Sequence, residues 1–122
     1  MATIDIPRAE WGAFFHSFNR IHDGWLCSLE VVGSALGGRT LARDVAFAGV
    51  STDRGAGEPP IHIALGSAKG PSVSHWVDGP TRIRVRKTPE GADEALEIEA
   101  GAMTTLITFR VAALPETVDG VA

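Results

Sequence analysis

The chain has 122 residues, of which 44% are hydrophobic and 21% charged, a composition typical of a folded domain rather than of a disordered segment. Its 11 basic and 15 acidic residues leave a net charge of −4, which argues against binding to nucleic acid or to an anionic membrane surface. No stretch approaches the roughly 20 apolar residues that a membrane-spanning helix needs. We therefore expect one domain, residues 1–122, without nucleic-acid or membrane partners.

The first element in chain order is a helix, predicted at residues 7–22. Pro7 suits the first turn, where the N–H that proline lacks would have no partner within the helix. Asp23-Gly24 ends the helix. An apolar stripe with helical spacing runs along it and predicts packing against the core: Trp11, Phe14, Phe15, Phe18 and Ile21.

All later elements are predicted as strands, because short runs of alternating apolar residues are separated by turns rich in Gly, Pro and Asp. The predicted strands cover residues 25–32, 41–50, 61–65, 73–77, 81–87, 94–100 and 103–111. Their connections are too short for parallel crossovers, so an antiparallel sheet is expected. The predicted fold class is α+β, with one N-terminal helix packed on a curled antiparallel sheet, or a small barrel, of about seven strands. Residues 114–122 are expected to form a loose tail.

Two neighbouring strands carry alternating charges of opposite sign, from Arg82, Arg84, Arg86, Glu97 and Glu99. The short turn between these strands predicts an antiparallel register with Arg84 opposite Glu97 and Arg82 opposite Glu99. This pattern favours a charge ladder on the solvent face over an anion site, because the glutamates cancel the local positive field. Arg86 falls opposite Ala95 in this register and is left as the candidate anion contact.

His62 and His75 are the candidate nitrogen ligands for a metal ion. If their two strands pair with both histidines on one face, the imidazoles and the carboxylate of Asp78 could hold a divalent ion and support a metal-dependent enzyme. Two histidines without a firm third ligand occur often by chance, so no metal and no other cofactor is expected. No serine or cysteine has the spacing of a catalytic nucleophile, and we predict no catalytic residue.

His22 and Asp23 are adjacent at the end of the predicted helix and could be taken for a general-base pair. Adjacent residues on a helix rarely face one another. A histidine near the negative end of the helix dipole is favourable without any catalytic role. We therefore expect His22 to cap and to pack.

Trp76 points away from the side of its strand that carries Val73, His75 and Val77. Two explanations remain open for this tryptophan. Both faces of the strand are buried within the domain, or a partner covers the indole, which predicts an interface, most simply between two copies of the chain.

The cellular compartment is predicted from the cysteine content and the first residues. Cys27 is the only cysteine, which excludes an intramolecular disulfide and a paired-cysteine metal site. The N-terminal residues have neither the basic region nor the apolar region of a secretory signal. We expect a cytoplasmic protein.

Three short motifs carry a resemblance to a known family. They are Ile6-Pro7-x-x-Glu10-Trp11, then Phe18-x-x-x-His22-x-Gly24-Trp25, and Leu114-Pro115-Glu116-x-Val118-Asp119-Gly120. Together they resemble the small bacterial family called domain of unknown function 5335. The resemblance implies a stand-alone bacterial protein, and it implies no activity, ligand or catalytic residue.

The function expected from the sequence is non-catalytic and consists of self-association or binding to another protein. The alternative is a small-molecule-binding barrel, in which the curled sheet and the aromatic helix enclose an apolar pocket. A third hypothesis is the metal-dependent enzyme that would use His62 and His75.

Overall fold

In the computed structural model of the chain, the described residues are 2–33, 37–52, 60–66 and 72–110. The predicted loose tail, residues 114–122, lies outside them. The elements of the described part are β1 (Ala2–Asp5), a 3₁₀ turn (Arg8–Glu10), α1 (Trp11–His22), β2 (Leu26–Gly33), β3 (Gly37–Thr52), β4 (Ile61–Gly66), β5 (Ser72–Val77), β6 (Arg82–Lys87), β7 (Asp93–Ala100) and β8 (Met103–Phe109). Within this part of the chain, no helix has the length and apolar character that crossing a membrane requires.

The eight strands form one sheet in the order β1-β6-β7-β8-β2-β3-β4-β5. Every neighbouring pair is antiparallel. β1 and β5 occupy the two ends of this order and do not pair with each other, so the sheet is open.

The predicted α+β class with about seven strands is wrong. Strand residues make up 65% of the described residues, and α1 is the one α-helix among them, so the fold is mostly β. The additional strand is β1, to which the sequence pattern assigns no strand, because four residues are too few to show an alternation. The barrel alternative is also wrong, because the sheet does not close and has no barrel interior to hold a ligand.

β3 is a 16-residue strand that connects the two halves of the sheet. Its residues up to Ala46 pair with β2, whereas Phe47–Thr52 pair with β4. Register shifts interrupt both ladders, and Asp44, beside the first shift, has a positive φ of 54°. Such bulges bend a strand and increase its twist. The bulges therefore allow β3 to pair with β2 along its first part and with β4 along its second part.

Helix α1 lies on one face of the sheet and ends at His22 as predicted, but it begins at Trp11 and not at residue 7, because residues 8–10 form a 3₁₀ turn. Pro7 precedes the 3₁₀ turn, and Gly24, with a φ of 86°, follows the helix. The core cluster on this face combines aromatic side chains of α1 with apolar strand residues; those no more than 2% exposed are Phe18, Cys27, Leu29, Phe47, Val50, Ile61, Ile63, Leu65, Ile83, Val85, Leu96, Ile98 and Ile107. The prediction for the apolar stripe is confirmed for Trp11, Phe15 and Phe18, with Phe14 partly buried against them, and is wrong for Ile21, which is 59% exposed.

One amide side chain connects α1 to β3 by hydrogen bonds. Asn19 Nδ2 donates to the carbonyl oxygen of Val50 at 2.9 Å, and the Val50 N–H donates to Asn19 Oδ1, also at 2.9 Å. Because Val50 is 1% exposed, water cannot easily replace a lost partner.

We expect Asn19→Ala to lower the free energy of unfolding by about 1–3 kcal/mol, since two hydrogen bonds to buried backbone groups are lost. Urea denaturation measures the change, with His16→Ala on the exposed side of α1 as the matched control. Equal unfolding midpoints for the two variants would show that this connection does not hold the helix in place.

Candidate functional site

The predicted register of the two charged strands is confirmed. Arg82 lies opposite Glu99 and Arg84 opposite Glu97, and the alternating residues of β6 and β7 on the other face are fully buried. Glu97 is only 8% exposed, and the guanidinium groups of Arg84 and Arg86 both contact its carboxylate.

The sequence did not predict a partner for Arg86. Arg86 Nη2 donates to Glu97 Oε2 at 2.5 Å, because the long guanidinium side chain reaches diagonally past Ala95. Arg84 contacts both Glu97 and Glu99. The candidate anion contact is therefore part of the charge ladder.

The metal hypothesis fails on the register of β4 and β5. His62 lies opposite Trp76, whereas His75 lies opposite Ile63, so the two imidazoles are on opposite faces of the sheet. Asp78 is exposed beyond the end of β5. Among the described residues, no three His, Cys, Asp or Glu side chains come together as a metal site.

The face of β4 and β5 that points away from the core carries a small cluster, His62, Ser74 and Trp76. The imidazole Nε2 of His62 lies 2.5 Å from Ser74 Oγ. The same ring packs against the Trp76 indole, with ring centroids 4.4 Å apart and planes 31° apart. Trp76 is nevertheless 53% exposed, which contradicts the explanation in which both faces of this strand are buried.

β5 is an edge strand, with β4 as its one neighbour among the described strands. His75 is on its core-facing side and half-buried, and desolvation by this burial lowers the pKa of the imidazole. No residue of β5, Ser72–Val77, is Asp, Glu, Lys, Arg or Pro. The candidate site is therefore an uncharged strand edge with an exposed tryptophan beside it.

A second polar arrangement, which the sequence did not reveal, lies where α1 ends against β7. His22 is 0% exposed, and its Nδ1 contacts the Phe18 carbonyl oxygen at 2.8 Å. Its Nε2 lies 3.1 Å from Asp93 Oδ2, at ion-pair distance although the N–H is poorly aligned with the oxygen. The carboxylate that His22 meets is therefore Asp93, and the expectation that His22 packs is confirmed.

Asp93 is shared by two basic side chains. Its Oδ1 accepts from Lys87 Nζ at 2.6 Å, while its Oδ2 faces His22. The contact with His22, and then that with Lys87, lower the pKa of the Asp93 carboxyl against the opposing effect of burial. No local pattern could have shown this arrangement, because its members come from a helix and two different strands.

A groove of about 190 Å³ lies between α1, β1 and β6, next to Asp93. Its walls are mainly apolar, and Lys87, Asp93 and Ser17 supply its polar groups. Ile4 and Ile21 line it and are 44% and 59% exposed. The groove is outside the sheet and is not the enclosed pocket that a barrel would have.

We expect the stability of the protein to fall on acidification in a way that depends on Asp93. A carboxyl group whose pKa is lower in the folded state stabilises the fold above its ordinary pKa of 3.8, and this contribution is lost as the pH falls through the folded-state pKa. Asp93→Asn should cost roughly 1–3 kcal/mol at neutral pH and flatten the stability curve below about pH 4. Urea denaturation across pH measures both effects.

The matched control is Asp78→Asn, which removes an exposed carboxylate. A curve for Asp93→Asn that kept the same acid slope as the wild type would show that the ion pair does not contribute.

Cys27 is expected to be chemically unreactive. It is 1% exposed, its Sγ contacts the Val45 carbonyl oxygen at 3.3 Å, and burial raises the pKa of the thiol to about 12. The thiolate is the reactive form, so Ellman's reagent at neutral pH should label the protein in denaturing urea but not in the native state. Rapid labelling of native protein would contradict this burial.

The comparisons with known proteins identify a family and no function. A family model described as a family of unknown function (DUF5335) matches residues 2–117. Neither the curated proteins nor the solved structures contain a match to this chain. The matched range includes α1 and all eight strands, and it confirms the resemblance carried by the three sequence motifs. The chain belongs to the DUF5335 family.

Proposed function

We propose that this protein acts without catalysis, through self-association of two copies along the edge strand β5. The observation that carries the proposal is Trp76, a 53% exposed indole on an uncharged edge strand. A cytoplasmic location is part of the proposal and is supported by Cys27, a free and buried thiol of the kind that persists in a reducing compartment.

The two edges of the sheet differ in the way that this proposal requires. Proteins protect sheet edges from pairing with other chains by keeping edge strands short or by placing charges and proline there. β1 has four residues, ends in Asp5 and is followed closely by Pro7. β5 has six residues, none of them charged or proline, and it is followed by Asp78 and Pro80. Within the strands themselves, β5 is therefore the less protected edge.

A second copy of the chain is a suitable partner for β5, because an antiparallel strand can pair with itself about a two-fold axis. Pairing centred on His75 would place Ser74 of one copy opposite Trp76 of the other. It would place Val73 opposite Val77 on the core-facing side, where the apolar surface would continue. No two carboxylates oppose each other in this register, although each chain carries a net charge of −4.

The contact with His62 restricts the orientation of the Trp76 indole before any partner binds. A tryptophan that is already held against another ring loses less side-chain freedom when a partner covers it. Tryptophan is also among the residues that most often dominate the binding energy of an interface. Trp76 should therefore supply most of the affinity.

The expected dimer is weak, because one six-residue strand buries less than a standard interface of roughly 1,600 Å². We expect a dissociation constant on the order of micromolar and a reversible equilibrium rather than an obligate dimer.

Sedimentation equilibrium over a range of protein concentrations tests the proposal. Trp76→Lys should weaken the dimer by about tenfold or more, since it removes the indole and places an ammonium group on the edge strand. The matched control is Val32→Lys, which places the same charge at a 42% exposed apolar position on the interior strand β2. This control should leave the dissociation constant unchanged.

Two results would overturn self-association through β5. One is a wild-type chain that stays monomeric at concentrations well above the expected dissociation constant. The other is a dimer that Trp76→Lys and Val32→Lys weaken to the same extent, which would place the interface elsewhere or make it a general effect of charge.

A further inference from the structure

We propose that the association of two copies along β5 is controlled by pH through His75, so that the copies associate when its imidazole is neutral and separate when it is protonated. His75 lies in the interface described above, so this inference rests on the proposed self-association and adds its regulation. Three features carry it, which are the place of His75 on the edge strand, the lack of a polar partner for its imidazole among the described residues, and the symmetry of a strand that pairs with itself.

His75 lies near the middle of β5, on the core-facing side of the strand. Val73 and Val77 lie on the same side, because side chains two residues apart in a strand share a face. Its neighbour across the ladder is Ile63, which is 0% exposed. The imidazole is thus a half-buried polar group among apolar side chains, on a strand whose other edge has no neighbour among the described strands.

The imidazole of His75 has no polar partner among the residues that the structure describes, where it makes no hydrogen bond and no ion pair. Neither β4 nor β5 contains Asp, Glu, Lys or Arg. The other titratable residue of these two strands is His62, which lies on the opposite face and contacts Ser74. Asp78 is exposed beyond the end of β5. Burial alone lowers the pKa of His75, without a contribution from a nearby charge.

A strand that pairs with its own copy about a two-fold axis places one residue opposite itself. In the register centred on His75, the two imidazoles form that pair, with Cβ atoms roughly 5 Å apart on the core-facing side. In the neighbouring register, centred on Ser74, His75 lies opposite Val73 of the other copy. Both registers place a second strand beside the imidazole and remove water from it.

Protonation of His75 is unfavourable for the paired state in either register. A charged imidazole that loses water without gaining an acceptor is destabilised, and two opposed imidazolium groups also repel each other. The pKa of His75 is therefore lower in the dimer than in the single chain, where burial already holds it below its ordinary value of 6.5. By linkage, dimer formation releases protons, so association is strongest above the single-chain pKa and weakens as the pH falls through it.

The overall charge of the chain predicts the opposite response to acid. Each copy carries a net charge of −4 at neutral pH, so protonation of its carboxylates brings the charge closer to zero and reduces the repulsion between copies. A dimer governed by overall charge would tighten on acidification, whereas one governed by His75 would weaken. The direction of the change therefore separates a specific group at the interface from a general effect of charge.

The test is sedimentation equilibrium of the 122-residue chain at pH 7.5, 6.5 and 5.0 and constant ionic strength. We expect the dissociation constant to rise by about tenfold or more between the first and the last pH, since up to two protons bind when the two copies separate. His75→Gln, which keeps a polar side chain that cannot become charged, should abolish this rise. The matched control is His16→Gln, which removes an exposed histidine of α1 and should keep the rise. His75→Thr repeats the test with a residue that suits a strand if glutamine lowers the stability.

A further variant identifies which histidine of the β4–β5 hairpin is responsible. His62 is also an imidazole and contacts Trp76 on the other face. We expect His62→Gln to keep the rise on acidification, whatever its effect on the affinity at pH 7.5. A rise that His62→Gln abolishes and His75→Gln keeps would overturn the assignment to His75.

The remaining outcomes distinguish this inference from the proposed function. A wild-type dissociation constant that stays the same or falls on acidification would overturn control by His75 and leave self-association through β5 in place. A chain that is monomeric at every pH would overturn the proposed function, and control by His75 with it. Far-UV circular dichroism at each pH checks that the chain stays folded, so that a rise reports dissociation and not unfolding.

Discussion

The imidazole of His22, which is itself 0% exposed, joins the helix to the sheet. It packs against both the Phe18 and the Phe109 rings, with the Trp25 ring edge-on at 4.5 Å, so the last turn of α1 is held by several aromatic contacts. A polar ring at 0% exposure is stable only if its nitrogens find partners. The Phe18 carbonyl oxygen is the partner of Nδ1, and Nε2 lies 3.1 Å from Asp93 Oδ2 without an aligned hydrogen bond, so these two contacts relate the end of α1 to β7.

Helix α1 covers part of one face of the sheet and leaves other parts accessible to solvent. At one end, the helix covers β6 and β7 incompletely, which leaves the groove with Lys87 at its polar end. Asn19 connects the middle of the helix to β3 at Val50. β4 pairs with that same half of β3, and the β4–β5 hairpin ends the sheet at β5. The groove follows from the placement of the helix, whereas the free edge follows from the order of the strands.

The other face of the sheet has a different physical character. Its charges on β6 and β7 are paired in a ladder, and Glu97 is nearly buried under the guanidinium groups of Arg84 and Arg86. Paired charges offer little net field to an anion or a nucleic acid. The features that favour binding are consequently the uncharged edge and the groove, where apolar surface is exposed.

Local sequence patterns predicted the parts of this fold in which neighbours in sequence are neighbours in space. The apolar stripe located α1, and two alternating charge patterns with a short turn between them were enough to place Arg84 opposite Glu97. The same reasoning failed for His62 and His75, because a change of one residue in register moves a side chain to the opposite face. It also failed for Arg86, whose long side chain reaches a diagonal partner.

The sequence by itself determined the helix, most of the strands, the antiparallel hairpin of β6 and β7, and membership of the DUF5335 family. Only the tertiary structure decided that β1 completes the sheet beside β6, that the sheet stays open, and that Asp93 meets His22. The physical reason is the range of the interactions. Helix periodicity and a short turn act between residues close in the chain, whereas the partner of an edge strand or of a buried imidazole is chosen by packing among residues far apart in sequence.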